Sequence, residues 1–227
     1  MAGIKQIGVK AAKPKKKKTQ VQVERDIWLE STLDEHLEGW MAPQRAGVFY
    51  PSALGNKCDR FLYLTYNGLA VGQPLEANLK RIFDTGNSLE ERLEKYFTKM
   101  GVYLDREISV KLDRPEISGR IDFLIQHDIY GILPIESKTI NDAGFKKLTK
   151  PKPDHSVQLQ IYLNLGDYEM GTVFYENKND QKIKTYLLKR DVNEWDKILT
   201  RCFKIMDMIS LPEKCTGPVW CGCRRVP

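Results

Sequence analysis

No apolar run in the 227 residues approaches the roughly 20 that a membrane-spanning helix needs. The N-terminus lacks the apolar segment of a secretory leader, so the chain is assigned to the cytoplasm. In that compartment the five cysteines are not expected to pair as disulfides. Histidine is scarce, three in all, and His36, His127 and His155 have no metal-ligand spacing. There is no internal repeat and no phosphate-binding glycine loop of the helicase type.

Acid is missing from one place only. Residues 1–20 carry seven lysines and no Asp or Glu, against a net charge of +6 for the whole chain. The rest therefore sits at about −1, and the basicity is that of a tail rather than of a global field. The tail reads as disordered, and residues 21–227 as a single domain with a 41% hydrophobic content sufficient for a core.

The patterning of residues 21–227 predicts helices first, over 23–42, around Cys58 and from about 75 to 100. The long helix shows an apolar stripe of Leu79, Ile82, Phe83, Gly86, Leu89, Leu93 and Phe97. Three strands follow, then a basic loop over 140–153, then a helix with Asp154 as N-cap and Gly166 closing it. Two more strands and an amphipathic helix complete the order. The fold class is mixed α/β, a small sheet flanked by helices.

The informative stretch is SGRIDFLIQHDIYGILPIESKTIND, residues 118–142. It reads as a hairpin turning at Tyr130 and Gly131. Asp122, Glu136 and Lys138 interrupt its apolar runs. A buried carboxylate is costly unless paired or bound to a metal, so the residues fit either a salt-bridged sheet face or a cation site. A hard cation such as Mg²⁺ takes carboxylate oxygens and backbone carbonyls, Ser137 being the candidate carbonyl. Such an ion suits phosphodiester hydrolysis.

The spacing D-x13-E-x-K resembles the PD-(D/E)XK nuclease superfamily. Three further features resemble its RecB-like, iron–sulfur branch, which includes the CRISPR-adaptation exonucleases and phage-encoded relatives. Gln158 and Tyr162 form a Q-x-x-x-Y on one helix face. Glu90 stands four residues after Gly86, where the branch often has histidine. Cys58, Cys215, Cys221 and Cys223 give one early and three late thiols, although C-x5-C-x-C departs from the usual C-x2-C pair.

The resemblance implies a restriction-endonuclease-like core and a Mg²⁺- or Mn²⁺-dependent deoxyribonuclease, an exonuclease on DNA ends in recombination, repair or replication. It implies Asp122 and Glu136 as metal ligands, with Glu90 and the Ser137 carbonyl beside them. Lys138 would position the attacking water, and Gln158 and Tyr162 the strand. The four cysteines would hold a [4Fe–4S] cluster, or else a tetrahedral zinc ion. Cys202 lies in the apolar pattern of the last helix and is assigned to the core. Arg60, Lys146 and Lys147 are expected to meet nucleic acid. Expected partners are DNA and a recombination or replication protein, with no membrane, in a bacterial cell or phage-infected host. The rival is a non-catalytic DNA-binding or assembly module on the same fold.

Overall fold

A computed structural model describes residues 25–39, 45–69, 76–216, 221 and 223. The basic tail lies outside the described residues. Among the described residues, seven helices and five strands follow in the order α1 (Ile27–Leu37), α2 (Pro51–Leu54), α3 (Asp59–Tyr66), α4 (Ala77–Met100), β1 (Tyr103–Asp113), β2 (Glu116–His127), β3 (Gly131–Ile140), α5 (Asp142–Lys147), α6 (Pro153–Leu165), β4 (Met170–Asn177), β5 (Ile183–Lys189) and α7 (Val192–Met206). No described helix is long and apolar enough to cross a membrane.

The strands form one sheet in the order β1-β2-β3-β4-β5. β1, β2 and β3 are antiparallel neighbours, joined by short turns. β3 and β4 are parallel, because α5 and α6 carry the chain back across the sheet between them. β5 returns antiparallel to β4. The central strands β3 and β4 are buried almost throughout, while β1 and β5 alternate as edge strands do.

Two helical layers cover this sheet. Leu89, Leu93 and Phe97 of α4 pack on Phe123, Ile135 and Phe174. Leu159 and Leu163 of α6 pack on Val173 and Tyr175. Ile161 of the same helix joins Leu54, Leu62, Ile198 and Cys202 in a core shared with α2, α3 and α7. α6 thus has core on several sides, and its run from Gln158 to Leu163 is buried without interruption. Cys202 is fully buried, as its place in the helical pattern predicts.

Several local expectations are corrected. The segment around Cys58 is two helices rather than one, and Cys58 is the N-cap of α3, its sulfur accepting from Phe61 N. The basic loop contains α5, nucleated by the Asn141 side chain, which accepts from Gly144 N. α6 begins at Pro153 with Lys152 as N-cap, so Asp154 belongs to the first turn. Ile82 and Phe83 remain 48% and 47% exposed, because α4 lies on the sheet only through its C-terminal half.

Candidate functional site

The β2–β3 ladder runs from the turn at Gly131 up to the pair Phe123–Ile135. Beyond that pair the two strands part. β2 continues against β1, with a further parallel bridge from Ile117 to Phe49, and β3 continues against β4. The first residues past the fork are Asp122 and Glu136. Parting strands leave backbone donors without a ladder partner. Asp122 Oδ2 fills that place, accepting from Ser137 N at 2.7 Å and Ser137 Oγ at 2.9 Å.

Glu136 is 0% exposed, and neither of its carboxylate oxygens has a hydrogen-bond partner among the described residues. The Lys138 ammonium, two residues along β3, forms an ion pair with Glu136 Oε1. Burial, then the Asp122 charge, pushes the Glu136 carboxyl up to about 8. Burial raises Asp122 as well, against the opposing pull of Lys138 and Ser137. Glu90, from α4, is pushed up to about 7 by burial and by Asp122. Burial works against the charged form of Lys138, but Glu136 and Asp122 together outweigh it and raise the ammonium above its ordinary value. Lys138 therefore stays charged at neutral pH.

Of these groups, Glu90 and Asp122 border a cleft of about 540 Å³ between α2, α4, α6 and the β1–β2 pair, with Tyr162 also on its wall, while Glu136 and Lys138 lie behind it. Gly119 lets the cleft close at one end. A Cβ there would lie 2.6 Å from Pro51 Cγ and 3.1 Å from Tyr162 Cε1. Gln158 Nε2 donates to Tyr162 Oη at 3.1 Å, so the two residues of the Q-x-x-x-Y are joined. Burial raises the Tyr162 hydroxyl and keeps it protonated. A larger hollow, about 720 Å³, opens beside Cys58 and Pro153, but only one carboxylate, that of Asp154, lines it.

The structure thus brings Glu90, Asp122, Glu136, Ser137 and Lys138 to one fork, with Tyr162 beside it. A divalent cation fits this donor set: hard oxygens, one of them (Glu136 Oε2) with neither a hydrogen bond nor an ion pair, and carboxylates that raise one another's proton affinity. The carboxylates do not close into a set as tight as the cysteines do. Glu90 also has a second neighbour, Arg106 Nη2 at 3.9 Å, and Arg106 is held by Glu94 at 2.6 Å.

The cysteine set does close. The sulfurs of Cys58, Cys215, Cys221 and Cys223 all lie within 4.8 Å of one another, with Cys215 and Cys223 at 3.3 Å. Burial lifts the Cys58 thiol to about 12, and the neighbouring thiols add to the rise. A tetrahedral zinc ion with bonds of about 2.3 Å spreads its four sulfurs to about 3.8 Å, inside the 4.8 Å within which these four sulfurs lie. An iron–sulfur cubane places its thiolates outside an eight-atom core and so farther apart.

Other expected contacts fall elsewhere. Arg60 is buried, donating from Nε to Cys223 O at 3.2 Å and from Nη1 to Pro212 O at 2.8 Å, so it ties down the C-terminal segment instead of facing a phosphate. Lys146 pairs with Asp142 within α5 at 2.7 Å, Lys147 is exposed, and neither borders the cleft. Sequence reasoning missed Arg106, Glu107 and Arg120. Arg120 carries a signal, standing two residues before Asp122, whereas Glu107 and Arg106 carry none.

A scan against family models and a search of curated proteins return no match. Solved structures do match. The alkaline exonuclease LHK-Exo from Laribacter hongkongensis has a TM-score of 0.54 at 19% identity, over 71% of this chain and 87% of that one. LHK-Exo in complex with dAMP has 0.50 at 16%, over 78% and 90%. The protein SSO0001 has 0.52 at 21%, over 78% and 82%. At such identities the likeness is one of architecture: the chain shares the mixed α/β fold of these structures, a five-stranded sheet flanked by helices.

Proposed function

We propose that this chain is a Mg²⁺- or Mn²⁺-dependent deoxyribonuclease acting from DNA ends. The observation that carries the reading is Glu136: a fully buried carboxylate with no hydrogen bond to either oxygen, beside Asp122 and a charged Lys138. The Lys138 ion pair serves one oxygen and leaves the other buried without a partner, a place that a cation would fill. The exonucleases of the same fold favour the end-directed mode, and the dAMP held by one of them favours DNA as the polymer.

Asp122 and Glu136 would hold the cation, with Glu90 and the Ser137 carbonyl completing the donor set. When bound, the ion supplies a water of lowered pKa and neutralises charge on the phosphate. Ser137 fixes Asp122 in place before substrate arrives. Lys138 would orient the attacking water and offset charge on the reacting phosphate. Gln158 and Tyr162 hold the strand from α6. The enzyme would serve recombination, repair or replication, alone or with a partner protein.

The cysteine centre has a structural role in this reading, tying the C-terminal segment to α3. The resemblance supports a [4Fe–4S] cluster there, and the sulfur spacing favours one zinc ion instead. Iron and zinc content of protein purified without air separates the two.

The test of function is digestion of end-labelled single- and double-stranded DNA with each divalent ion. Wild type degrades DNA only with the ion present, and Asp122→Ala and Lys138→Ala lose turnover by at least about 10³-fold while melting cooperatively. DNA binding without turnover by wild type would favour the non-catalytic rival.

A further inference from the structure

We infer that Arg120 is the phosphate-binding residue of the cleft and that Glu107 is its resident counter-ion in the DNA-free protein. The inference rests on the nuclease reading above. It starts from a charge problem. The cleft wall carries three carboxylates, Glu90, Glu107 and Asp122, and a DNA strand is itself a polyanion. Among the described residues that line the cleft, Arg120 is the one cation.

Its position suits the task. Arg120 and Asp122 are two apart on β2 and so project to the same side of the strand. Ser109 of β1 is its register partner, and both border the cleft. The side chain of Arg120 is 65% exposed, unlike that of Arg60, which two backbone carbonyls hold. Its charge already reaches Asp122, pulling that carboxyl down against the larger effect of burial.

Glu107 explains how the guanidinium is kept in place without DNA. Its Oε1 stands 3.2 Å from Arg120 Nη1, and Glu107 is 47% exposed. Glu107 lies within β1 between Arg106 and Ile108, which pair with Phe123 and Ile121 on either side of Asp122. Its φ is +53°, a left-handed conformation in a non-glycine residue in the middle of a strand. Such conformations persist where the surroundings enforce them, and they cluster at binding sites. A solvent-exposed ion pair is weak, so exchanging a carboxylate for a phosphate on the same guanidinium fork costs little. Once the exchange is made, the Glu107 carboxylate loses its partner and faces the incoming strand.

The test is the affinity of a labelled single strand over a range of salt, measured by anisotropy in an Asp122→Asn background so that DNA is not consumed. Arg120→Ala should weaken binding about tenfold at low salt and lower the slope of log K against log salt by about 0.7, one single-strand phosphate contact. Arg120→Lys should keep the slope, because the point charge remains. Glu107→Gln should tighten binding a few-fold, and by clearly less once Arg120 is alanine, where only the repulsion of the strand by the carboxylate is left to remove. An unchanged slope in Arg120→Ala, or equal tightening by Glu107→Gln with and without Arg120, overturns the inference. With DNA hydrolysis by wild type intact, that result leaves the nuclease reading standing. Absence of both salt-dependent binding and hydrolysis would remove the two together.

Discussion

Ser137 gives both its backbone N–H and its hydroxyl to a single oxygen of Asp122, at 2.7 and 2.9 Å. The pair spans the fork where β2 leaves β3, so one carboxylate repairs the broken ladder and is itself immobilised by the repair. Ser137→Ala removes the hydroxyl and leaves the N–H. The expected cost is about 1–2 kcal/mol of stability, as for a hydrogen bond to a charged group. DNA hydrolysis should fall about tenfold through looser placement of Asp122. Urea melts and single-turnover rates check the two effects separately, and an unchanged rate would show that Ser137 is only structural.

Gly119 has no room for a side chain. A Cβ would stand 2.6 Å from the stiff ring of Pro51 and 3.1 Å from Tyr162. Gly119→Ala should cost about 1–3 kcal/mol by overpacking and displace Tyr162 from Gln158. Activity should drop by more than the stability loss explains at temperatures well below the melt. Equal activity at those temperatures would separate Tyr162 from the chemistry.

Arg60 makes the opposite kind of prediction from the one its place beside Cys58 suggests. Its guanidinium donates to the carbonyls of Cys223 and Pro212. Arg60→Ala should leave DNA affinity unchanged but speed the loss of metal from the cysteines to a chelator. Its stability cost should be about 1–3 kcal/mol for unpaired polar groups. A large fall in DNA affinity with metal retention unchanged would restore the phosphate role.

His155 predicts a pH dependence. Its Nδ1 lies 2.8 Å from Tyr175 Oη, and burial pushes the ring down to about 4. An unfolded chain would protonate near 6.5. Between those values the unfolded state holds one more proton, so stability rises with pH from about 4 to 6.5 and is level above. His155→Gln removes this component. The stability difference between wild type and variant should therefore grow, by up to about 3 kcal/mol, as pH rises through that window. A difference independent of pH would mean that the ring is not held neutral.

Much of this was legible in the sequence, for identifiable reasons. Asp122, Glu136 and Lys138 stand out because charge interrupts apolar runs of β-branched residues, and Gln158 and Tyr162 because helical spacing puts them on one face. The strand order and α4 follow from period and from Gly101, which ends α4 with a positive φ. Long-range partners were not legible. Nothing in NKCDRF says that Arg60 meets carbonyls some 150 residues away. Helical period told which side of α4 is apolar but not how far the sheet beneath extends, so Ile82 and Phe83 were assigned to a packed face they do not share. Glu107 owes its place to a backbone conformation, which residue type alone disfavours.

The central claim is that the fork between β2 and β3 holds a divalent cation. Calorimetric titration of Mn²⁺ into wild type and into Glu136→Gln, without DNA, measures it directly. Wild type should bind Mn²⁺ at the fork with release of protons at neutral pH, since Glu90 and Glu136 are held partly protonated. Glu136→Gln should lose that binding while melting at or above the wild-type temperature in the absence of metal. Equal Mn²⁺ binding by the two proteins, or none by wild type, would contradict the account.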